Sequence, residues 1–326
     1  MDTFSSLNIH GKYILSNGYI MIYPNIIYQD EWGGPYSKLC EADFLNRILS
    51  EVKAIMKEEF DRFDFYIYSC NGNDNPPKPI ILTNNNPRII IYISDEHSTV
   101  PTYLSEYFVA VFKAYLPRNF EKHKLYSFPL GYHQDVPLLP ILSINERENN
   151  VFFSGNLNFN RIFLYKELSF FFSMVPNYIY KRIIFRIKNS VPMDLSRAFK
   201  SSYIQFTGGF KRGISGKEYA YKLHNSKIAI CPPGFHSTET FRHFEAMRAG
   251  CIIVSKEMPD TFFYKNSPFI ILKNWNELRP TINKLLNDPD RMKDIHLKTL
   301  AWWREICSEK AVASYMVNKI KNSAGY

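Results

Sequence analysis

Arg242 and Glu245 are the residues of this sequence whose types and spacing point most directly to chemistry. A guanidinium pairs well with phosphate oxygens, and a carboxylate accepts hydrogen bonds from hydroxyl groups such as those of a ribose. Three residues along a helix place the two side chains on neighbouring faces. The spacing therefore favours a site for a nucleoside diphosphate, and it is also compatible with a simple ion pair on a helix surface.

The residues around this pair predict a strand, a turn and a helix. KIAICPPG has the pattern of a buried strand, and ETFRHFEAMRAG that of a helix that stops at Gly250 before the strand CIIVS. His236, Ser237 and Thr238 lie at the predicted start of that helix as candidate N-caps. The first turn of a helix presents unpaired N–H groups and partial positive charge, so a diphosphate is expected to bind there. The alternative is that these residues only cap the helix.

Two glycine-containing loops are candidates for the same site. In NVFFSGNLNFNR, Gly155 and Asn156 would let the backbone approach the phosphates, while Arg161 pairs with them. In YIQFTGGFKRG, Phe210 is a candidate for flanking a nucleotide base, and Arg212 for adding positive charge. An ordinary turn and a solvated loop explain these two segments equally well.

The segment CPPGFHSTETFRHFEAMRAGCIIVS, residues 231–255, resembles the exostosin-like glycosyltransferases of family 47. That family carries C-P-x-G, then S-x-R-x-x-E-A, then G-C-x-P-V, and NVFFSGN, YISDE, VFKAYL and FPLGY resemble its other elements more loosely. The sequence departs from the pattern at Ile253, where proline is common, and in the spacer 238–240. The resemblance implies a GT-B fold and a nucleotide-sugar donor, with Arg242 on the diphosphate, Glu245 on the ribose and no bound metal.

Asp95 and Glu96 follow the predicted strand RIIIYIS, so they are expected at the carboxyl end of a sheet, where parallel sheets bind ligands. Inverting sugar transfer, which the resemblance implies, needs a carboxylate that takes the proton of the acceptor hydroxyl. Asp95 is the first candidate for this base and Glu96 the second. The alternative is that both only keep a loop soluble.

The loop YQDEWGGPY combines acidic and aromatic side chains. Asp30 and Glu31 adjoin Trp32 and Tyr36, whose rings are of the kind that stacks on a sugar. These four residues are therefore candidates for binding an acceptor sugar. Loop aromatics also commonly serve packing.

Short apolar runs alternate with amphipathic stretches along the whole chain, which predicts an α/β protein with two doubly wound, Rossmann-like domains facing a cleft, the GT-B arrangement. The segment DVPLLPILSINEREN has the composition of a linker. We expect an N-terminal acceptor-binding domain over residues 1–143 and a C-terminal nucleotide-sugar-binding domain over residues 144–326, which includes the terminal helices.

Composition narrows the possible partners. The 326 residues carry a formal net charge of +9, which suits an anionic ligand, but the basic residues form no run longer than a pair. We therefore expect no nucleic-acid partner. Trp302 and Trp303 lie in a basic C-terminal stretch that predicts helix packing or, alternatively, peripheral contact with an acidic membrane.

Cysteine usage and the apolar pattern predict the compartment. The five cysteines are far apart and in no C-x-x-C arrangement, which argues against disulfides and zinc. Because neither a leader peptide nor a long apolar run is evident, a cytoplasmic protein is expected.

The resulting hypothesis is an inverting glycosyltransferase that needs no metal or other cofactor. It would transfer a sugar from a nucleotide-diphosphate donor, with UDP-sugars as the expected donor class, to a glycan hydroxyl. A nucleotide-sugar epimerase or hydrolase and a non-catalytic carbohydrate- or nucleic-acid-binding protein remain alternatives. The sequence leaves the oligomeric state open.

Overall fold

The computed structural model describes residues 7–9, 12–15, 19–21, 23–71, 79–83, 85–187, 190–209 and 213–325. Contacts divide the chain into two units. The first comprises Met1–Gln134, Pro259–Lys265 and Ile306–Tyr326, and the second comprises Asp135–Met258 and Asn266–Glu305. This division differs from the predicted boundary after residue 143, because residues 135–143 belong to the second unit and residues 306–326 to the first.

Buried polar contacts explain why residues 135–143 belong to the second unit. Nη2 of Arg248 donates to the carbonyl of Val136 at 2.5 Å, and Arg147 donates to the carbonyl of Leu142 through Nε at 3.3 Å and Nη2 at 3.2 Å. Both arginines are buried, and a buried charge requires such oxygen partners. The segment with the composition of a linker is therefore an ordered part of the second unit.

The first unit contains a three-stranded antiparallel sheet and a five-stranded parallel sheet. The antiparallel sheet consists of β1 (Leu7–Ile9), β2 (Lys12–Leu15) and β3 (Tyr19–Met21). The parallel sheet consists of β4 (Ile26–Asp30), β5 (Asp64–Ser69), β6 (Arg88–Ile93), β7 (Ala110–Lys113) and β8 (Leu125–Ser127). These five strands stand side by side in chain order, so within the described part of this unit the strand order of the parallel sheet never reverses.

Two helices of the first unit pack together. Helix α1 (Ala42–Met56) connects β4 to β5, and α8 (Glu309–Ala324) lies against α1. The buried side chains of α1 are Ala42, Phe44, Leu45, Ile48, Leu49, Val52 and Met56. The hydroxyl of Tyr132 donates to Oε1 of Glu309 at 2.6 Å, and the ring of Phe112 on β7 packs against Tyr315 of α8. These contacts explain why the end of the chain belongs to the first unit.

The second unit is built on another five-stranded parallel sheet. Its strands are β9 (Asn149–Asn156), β10 (Ser202–Thr207), β11 (Ser226–Cys231), β12 (Ile252–Ser255) and β13 (Ile270–Ile271). Its helices are α2 (Ile162–Leu168), α3 (Asn177–Ile187), α4 (Gly216–His224), α5 (Phe241–Arg248), α6 (Leu278–Leu286) and α7 (Pro289–Trp302). Phe153 packs in one core with side chains of α2, α3 and α6, whereas its neighbour Phe152 contacts Tyr219 of α4. Alternation along the strand thus covers both faces of the sheet.

The strand order of the second sheet reverses at β9. The order is β10-β9-β11-β12-β13, so β9, the first strand in the chain, lies between the second and the third. In open parallel sheets the crevice for a ligand forms at such a reversal, beyond the carboxyl ends of the strands. The second unit therefore offers a ligand site where β9 ends at Asn156 and β11 ends at Cys231.

The predicted α/β fold with two parallel sheets is confirmed. The sequence pattern predicts no helix over the residues of α3. Of the helices in the described residues, none combines the length and apolar character needed to cross a bilayer. Over the same residue ranges, no three His, Cys, Asp or Glu side chains are grouped so that they could hold a metal ion.

Candidate functional site

Gly155, near the end of β9, lies beside two guanidinium groups. A methyl group added at Gly155 would stand 2.8 Å from Nη2 of Arg242 and 3.1 Å from Nη1 of Arg161. The two arginines come from different segments, since Arg161 follows β9 and Arg242 lies in the first turn of α5. The reversal of strand order thus brings three of the residues predicted for the donor site together.

Arg242 points at the end of β9. Its Nη2 donates to the carbonyl of Ser154 at 2.6 Å, and its guanidinium carbon lies 5.1 Å from the centre of the Phe153 ring. Its Nε is buried and makes no hydrogen bond to the described part of the protein. Arg242 forms no ion pair within that part. The structure therefore does not show the surface ion pair with Glu245 that the sequence allowed as an alternative. The guanidinium of Arg242 is therefore directed at the end of β9, where the strand order reverses.

Arg161 joins the loop after β9 to the loop after β11. Its Nη1 donates to both oxygens of Asn156, to the carbonyl at 3.1 Å and to the side chain at 2.5 Å, and its Nε donates to the carbonyl of Pro233 at 2.9 Å. Asn160 adds a bond from Nδ2 to the carbonyl of Gly234 at 3.0 Å. These bonds hold the two loops together at the carboxyl ends of their strands.

A hydrogen-bond chain holds the start of α5. Oγ of Ser255 donates to the carbonyl of Cys231 at 2.9 Å and lies 2.8 Å from Nε2 of His243, so Nε2 carries the ring proton and donates to Ser255. Nδ1 then accepts from the backbone N–H of Thr240, the N-cap, at 3.3 Å. Burial lowers the pKa of His243 to about 3, so the ring is neutral. It fixes the helix start without adding a charge beside Arg242.

The predicted caps lie outside the helix that they were expected to cap. Helix α5 begins at Phe241 with Thr240 as its N-cap, and the segment before it forms a turn. Oγ of Ser237 accepts from the N–H of Glu239 at 3.1 Å. His236 is exposed, Ser237 is buried and Thr238 is half-buried. Their contact with a donor stays a prediction, while the capping prediction is wrong by two residues.

Glu245 lies one turn after Arg242 and is buried. Burial, followed by the charge of Glu245, raises the pKa of Tyr219 well above its usual value, and the charge of Arg242 acts in the opposite direction. Tyr219, on α4, therefore shares the surroundings of Arg242 and Glu245. Sequence reasoning missed Tyr219, because a tyrosine inside an amphipathic helix carries no signal of a site. Phe210 and Arg212, the other predicted donor residues, lie outside the described residues.

If the second unit binds UDP, as the resemblance implies, Gly155→Ala should weaken that binding about three- to tenfold, a fraction of one charge-assisted hydrogen bond. The added methyl group would displace the ends of the Arg242 and Arg161 side chains, which are flexible enough to move without unfolding the unit. Calorimetric titration with UDP measures the change. Leu297→Ala is the control, because it changes an exposed side chain on α7 of the same unit. Unchanged UDP affinity in Gly155→Ala would separate Gly155 from the site.

In the first unit, Asp95 differs from the expectation of an accessible base. Its carboxylate is fully buried and lies 2.9 Å from Nζ of Lys113, which is also fully buried. It accepts hydrogen bonds at 3.1 Å from the N–H groups of His97 and Thr99, and a third from the hydroxyl of Thr99. A carboxylate engaged in this way organises the loop after β6. Because the side chain of Asp95 is fully buried, its oxygens are not accessible to an acceptor hydroxyl.

Glu96 is placed differently from Asp95. The residue is half-buried; its Oε2 is buried and makes no hydrogen bond to the described residues. The loop around it contains two residues in the left-handed region, Ser94 with φ of 70° and Ser98 with φ of 58°. Non-glycine residues hold this conformation only where the surroundings impose it, and such strain gathers at functional sites. Glu96 is the better placed of the two predicted bases.

The predicted acceptor residues have different surroundings. Asp30 accepts from the hydroxyl of Tyr28 at 2.9 Å and from the N–H of Trp32. Glu31 is buried and accepts from the N–H of Asn71 at 2.7 Å. Trp32 is 60% exposed, whereas Tyr36 is buried. Tyr36 is therefore a packing residue, and the indole of Trp32 is the ring that remains accessible to a sugar.

Glu41 is a buried carboxyl that sequence reasoning missed. It precedes α1 as its N-cap residue, and its side chain makes no capping hydrogen bond. Burial raises the pKa of Glu41 to about 7. The sequence gives no signal for this, because a glutamate at the start of an amphipathic helix normally faces water.

The wild type is expected to lose stability as the pH rises from about 4.5 to 7, and Glu41→Gln is expected to abolish this loss. Below that range Glu41 is protonated in both states; within it only the unfolded chain loses the proton, so the free energy of unfolding falls as pH rises. After relaxation around the charge, we expect a difference of about 1–2 kcal/mol at pH 8. Urea unfolding at pH 5 and 8 measures it. Parallel pH profiles for variant and wild type would contradict the burial of an uncompensated carboxyl.

The second unit is an α/β unit whose predicted donor residues gather at one end of its sheet. A reversal of strand order, two guanidinium groups and a helix start meet at one end of its sheet. Gly155 and Arg242 are half-buried, so this end is not sealed. A phosphate-bearing ligand is the chemistry that such an end accommodates.

Comparisons with known proteins give only distant likenesses. No family model matches the sequence, and no curated protein matches it. S. aureus TarM, in a complex containing UDP, is 12% identical with a TM-score of 0.46, over 84% of this chain and 58% of that chain. Sucrose-phosphate synthase from Thermosynechococcus elongatus is 12% identical with a TM-score of 0.46, over 90% of this chain and 80% of that chain.

An alpha-glucosyltransferase in complex with UDP is 10% identical with a TM-score of 0.43, over 85% of this chain and 96% of that chain. The chain therefore spans little more than half of the TarM chain but nearly all of this shorter one. At such identities and TM-scores these likenesses define neither the activity nor the ligand of this chain, which have to be inferred from its own residues.

Proposed function

We propose that the protein is a glycosyltransferase whose second unit binds a nucleotide-diphosphate sugar, with UDP-sugars as the donor class. The observation that carries the proposal is the approach of Arg242 and Arg161 to Gly155 at the strand-order reversal. Two guanidinium groups in one place match the two negative phosphates of such a donor. The resemblance of residues 231–255 to exostosin-like glycosyltransferases supports the same assignment from the sequence.

In the proposed reaction, the two arginines stabilise the departing nucleoside diphosphate. Negative charge develops on the diphosphate as the bond between the sugar carbon and the phosphate oxygen breaks, so positive groups fixed there lower the barrier. Because Arg242 and Arg161 supply that charge, the proposal includes transfer without a metal ion. Glu245 is proposed to accept hydrogen bonds from the ribose hydroxyls.

The acceptor is proposed to be a glycan hydroxyl bound by the first unit. Glu96 would take its proton, and the acceptor oxygen would attack the sugar carbon with inversion of configuration. The half-buried position of Glu96 supports this role over one for Asp95, whose carboxylate is fully buried against Lys113. The exposed ring of Trp32 beside Asp30 suits stacking on the acceptor sugar.

The experiment is to incubate the purified chain with UDP-sugars, with and without a panel of glycan acceptors, and to measure released UDP and the sugar product. A transferase releases UDP rapidly only when an acceptor is present. Equal UDP release without an acceptor would identify a hydrolase, and conversion of the donor sugar without UDP release an epimerase. Absence of any affinity for UDP or UDP-sugars would leave a non-catalytic carbohydrate- or nucleic-acid-binding protein.

A further inference from the structure

The segment after α2 exposes large apolar side chains in an unusually dense run. Phe170 is 85% exposed, Phe171 74%, Met174 90% and Tyr178 65%. Single exposed apolar residues are ordinary on protein surfaces, but several within one short stretch mark a surface that meets another apolar phase. Phe170 and Phe171 also line a cavity of about 620 Å³, so the surface is concave there.

Helix α3, which continues this segment, is apolar on both faces. Its inner face is anchored by Tyr180 and Ile184, which are fully buried, and the hydroxyl of Tyr180 donates to the carbonyl of Ile162 at 2.7 Å. The opposite face exposes Tyr178 and Phe185. Tyr178 and Phe185 therefore lie on the side opposite the buried contacts by which Tyr180 and Ile184 attach the helix.

The charges of the segment have one sign. Between Glu167 and Asp194 the sequence contains four Lys or Arg and no Asp or Glu. Three of the four, Lys181, Arg182 and Arg186, are exposed on α3 and form no ion pair with any residue that the structure describes. Cations alternating with exposed aromatic rings are typical of helices that lie in the interface of an anionic bilayer.

We propose that residues 170–186 dock the protein on a membrane surface rich in anionic phospholipid. Phe170, Phe171 and Met174 enter the boundary between headgroups and acyl chains, and the cations of α3 contact the lipid phosphates. A second copy of the chain is a poor occupant, because it would place like charges against one another. This surface is separate from Trp302 and Trp303, which are half-buried.

The docking surface adjoins the candidate donor site. Phe185 of α3 stacks on Phe159 with ring centres 5.8 Å apart and an interplanar angle of 11°. Phe159 belongs to the loop between β9 and α2, the loop that Asn160 and Arg161 attach to Gly234 and Pro233. Docking through α3 therefore brings the lipid surface close to that loop. The proposal does not require the ligand of the loop to be a nucleotide sugar.

Vesicle co-sedimentation of the full chain tests the proposal. Vesicles of phosphatidylcholine alone are compared with vesicles that also contain phosphatidylglycerol, at low and high salt. We expect binding to the anionic vesicles that high salt weakens, and little binding to the neutral ones. Neutralising two cations, in Lys181→Gln with Arg182→Gln, should lower the binding constant about tenfold or more. The triple variant Phe170→Ser, Phe171→Ser, Met174→Ser should lose binding even at low salt.

Control variants change exposed residues of the same kinds on α7. Arg291→Gln with Lys293→Gln removes two exposed cations, and Leu297→Ser removes a side chain that is 55% exposed; both should bind vesicles as the wild type does. Equal loss in the controls, equal binding to neutral vesicles, or no binding by the wild type would each overturn the proposal. So would a wild-type dimer that the triple variant converts to a monomer, since the surface would then serve self-association.

Discussion

Asp95→Asn is expected to destabilise the protein by about 3–5 kcal/mol, the cost of leaving a buried charge without its counter-ion. The carboxylate of Asp95 and the ammonium of Lys113 lie 2.9 Å apart, and both are fully buried. An amide keeps the shape of the carboxylate and part of its hydrogen bonding to His97 and Thr99, but it does not balance the charge of Lys113. Urea unfolding followed by circular dichroism measures the change.

Two further variants separate stability from catalysis. Asp95→Asn combined with Lys113→Met should recover most of the lost stability, because it removes both buried charges. Glu96→Gln, at the neighbouring half-buried carboxylate, should retain the stability of the wild type and lose sugar transfer. An Asp95→Asn variant as stable as the wild type but inactive in transfer would return the role of base to Asp95.

Arg242→Ala is expected to lower the affinity for UDP by roughly 10- to 100-fold, the contribution of a hydrogen bond to a charged group, about 1.5–3 kcal/mol. The guanidinium is held beside Gly155 by its bond to Ser154 and by the ring of Phe153, so the proposed contact with the diphosphate would need no further ordering. The UDP affinity of Arg242→Lys should fall between those of the wild type and Arg242→Ala, because an ammonium cannot form two parallel hydrogen bonds to a phosphate. Ligand-induced stabilisation at a fixed UDP concentration reports these affinities.

Arg291→Ala is the matched control, since it removes an exposed arginine from α7 of the same unit. Its UDP affinity should equal that of the wild type. If Arg242→Ala and Arg291→Ala bound UDP equally well, the charge beside Gly155 would have no part in donor binding, and the assignment of Arg242 would be wrong.

Local pattern was sufficient to predict most of the regular elements. Strand β6 is an unbroken apolar run, and α1 repeats apolar residues at helical spacing, so each is determined by its own segment. Helix α3 escaped prediction because apolar residues occur on both of its faces. The face that would be polar in an ordinary surface helix carries Tyr178 and Phe185.

The position of the candidate donor site depends on pairing between distant strands. Gly155, Arg161 and Arg242 were predicted for one site from separate segments, but their meeting requires β11 to pair with β9. The partner residues of these strands are about 77 positions apart in sequence, as in Ser226 with Asn149. No local pattern specifies which strands pair. The sequence therefore predicted which residue types belong to the site, and the strand order determined that they are neighbours.

Burial distinguishes two carboxylates, Asp95 and Glu96, that sequence pattern alone does not distinguish. Asp95 and Glu96 are adjacent after the same strand, and only the structure distinguishes a carboxylate bound to Lys113 from one with an oxygen that makes no hydrogen bond. Tyr36 and Trp32 differ in the same way, one buried and one exposed. Such differences arise from packing between segments, which spacing along the chain does not encode.

A structure of the protein with UDP bound tests the central claim most directly. The account predicts that the diphosphate lies beside Gly155, with its oxygens within hydrogen-bonding distance of the guanidinium of Arg242 and near that of Arg161. It further predicts that the ribose lies near Glu245. A nucleotide bound elsewhere on the chain, with no phosphate oxygen near the guanidinium of Arg242, would contradict it.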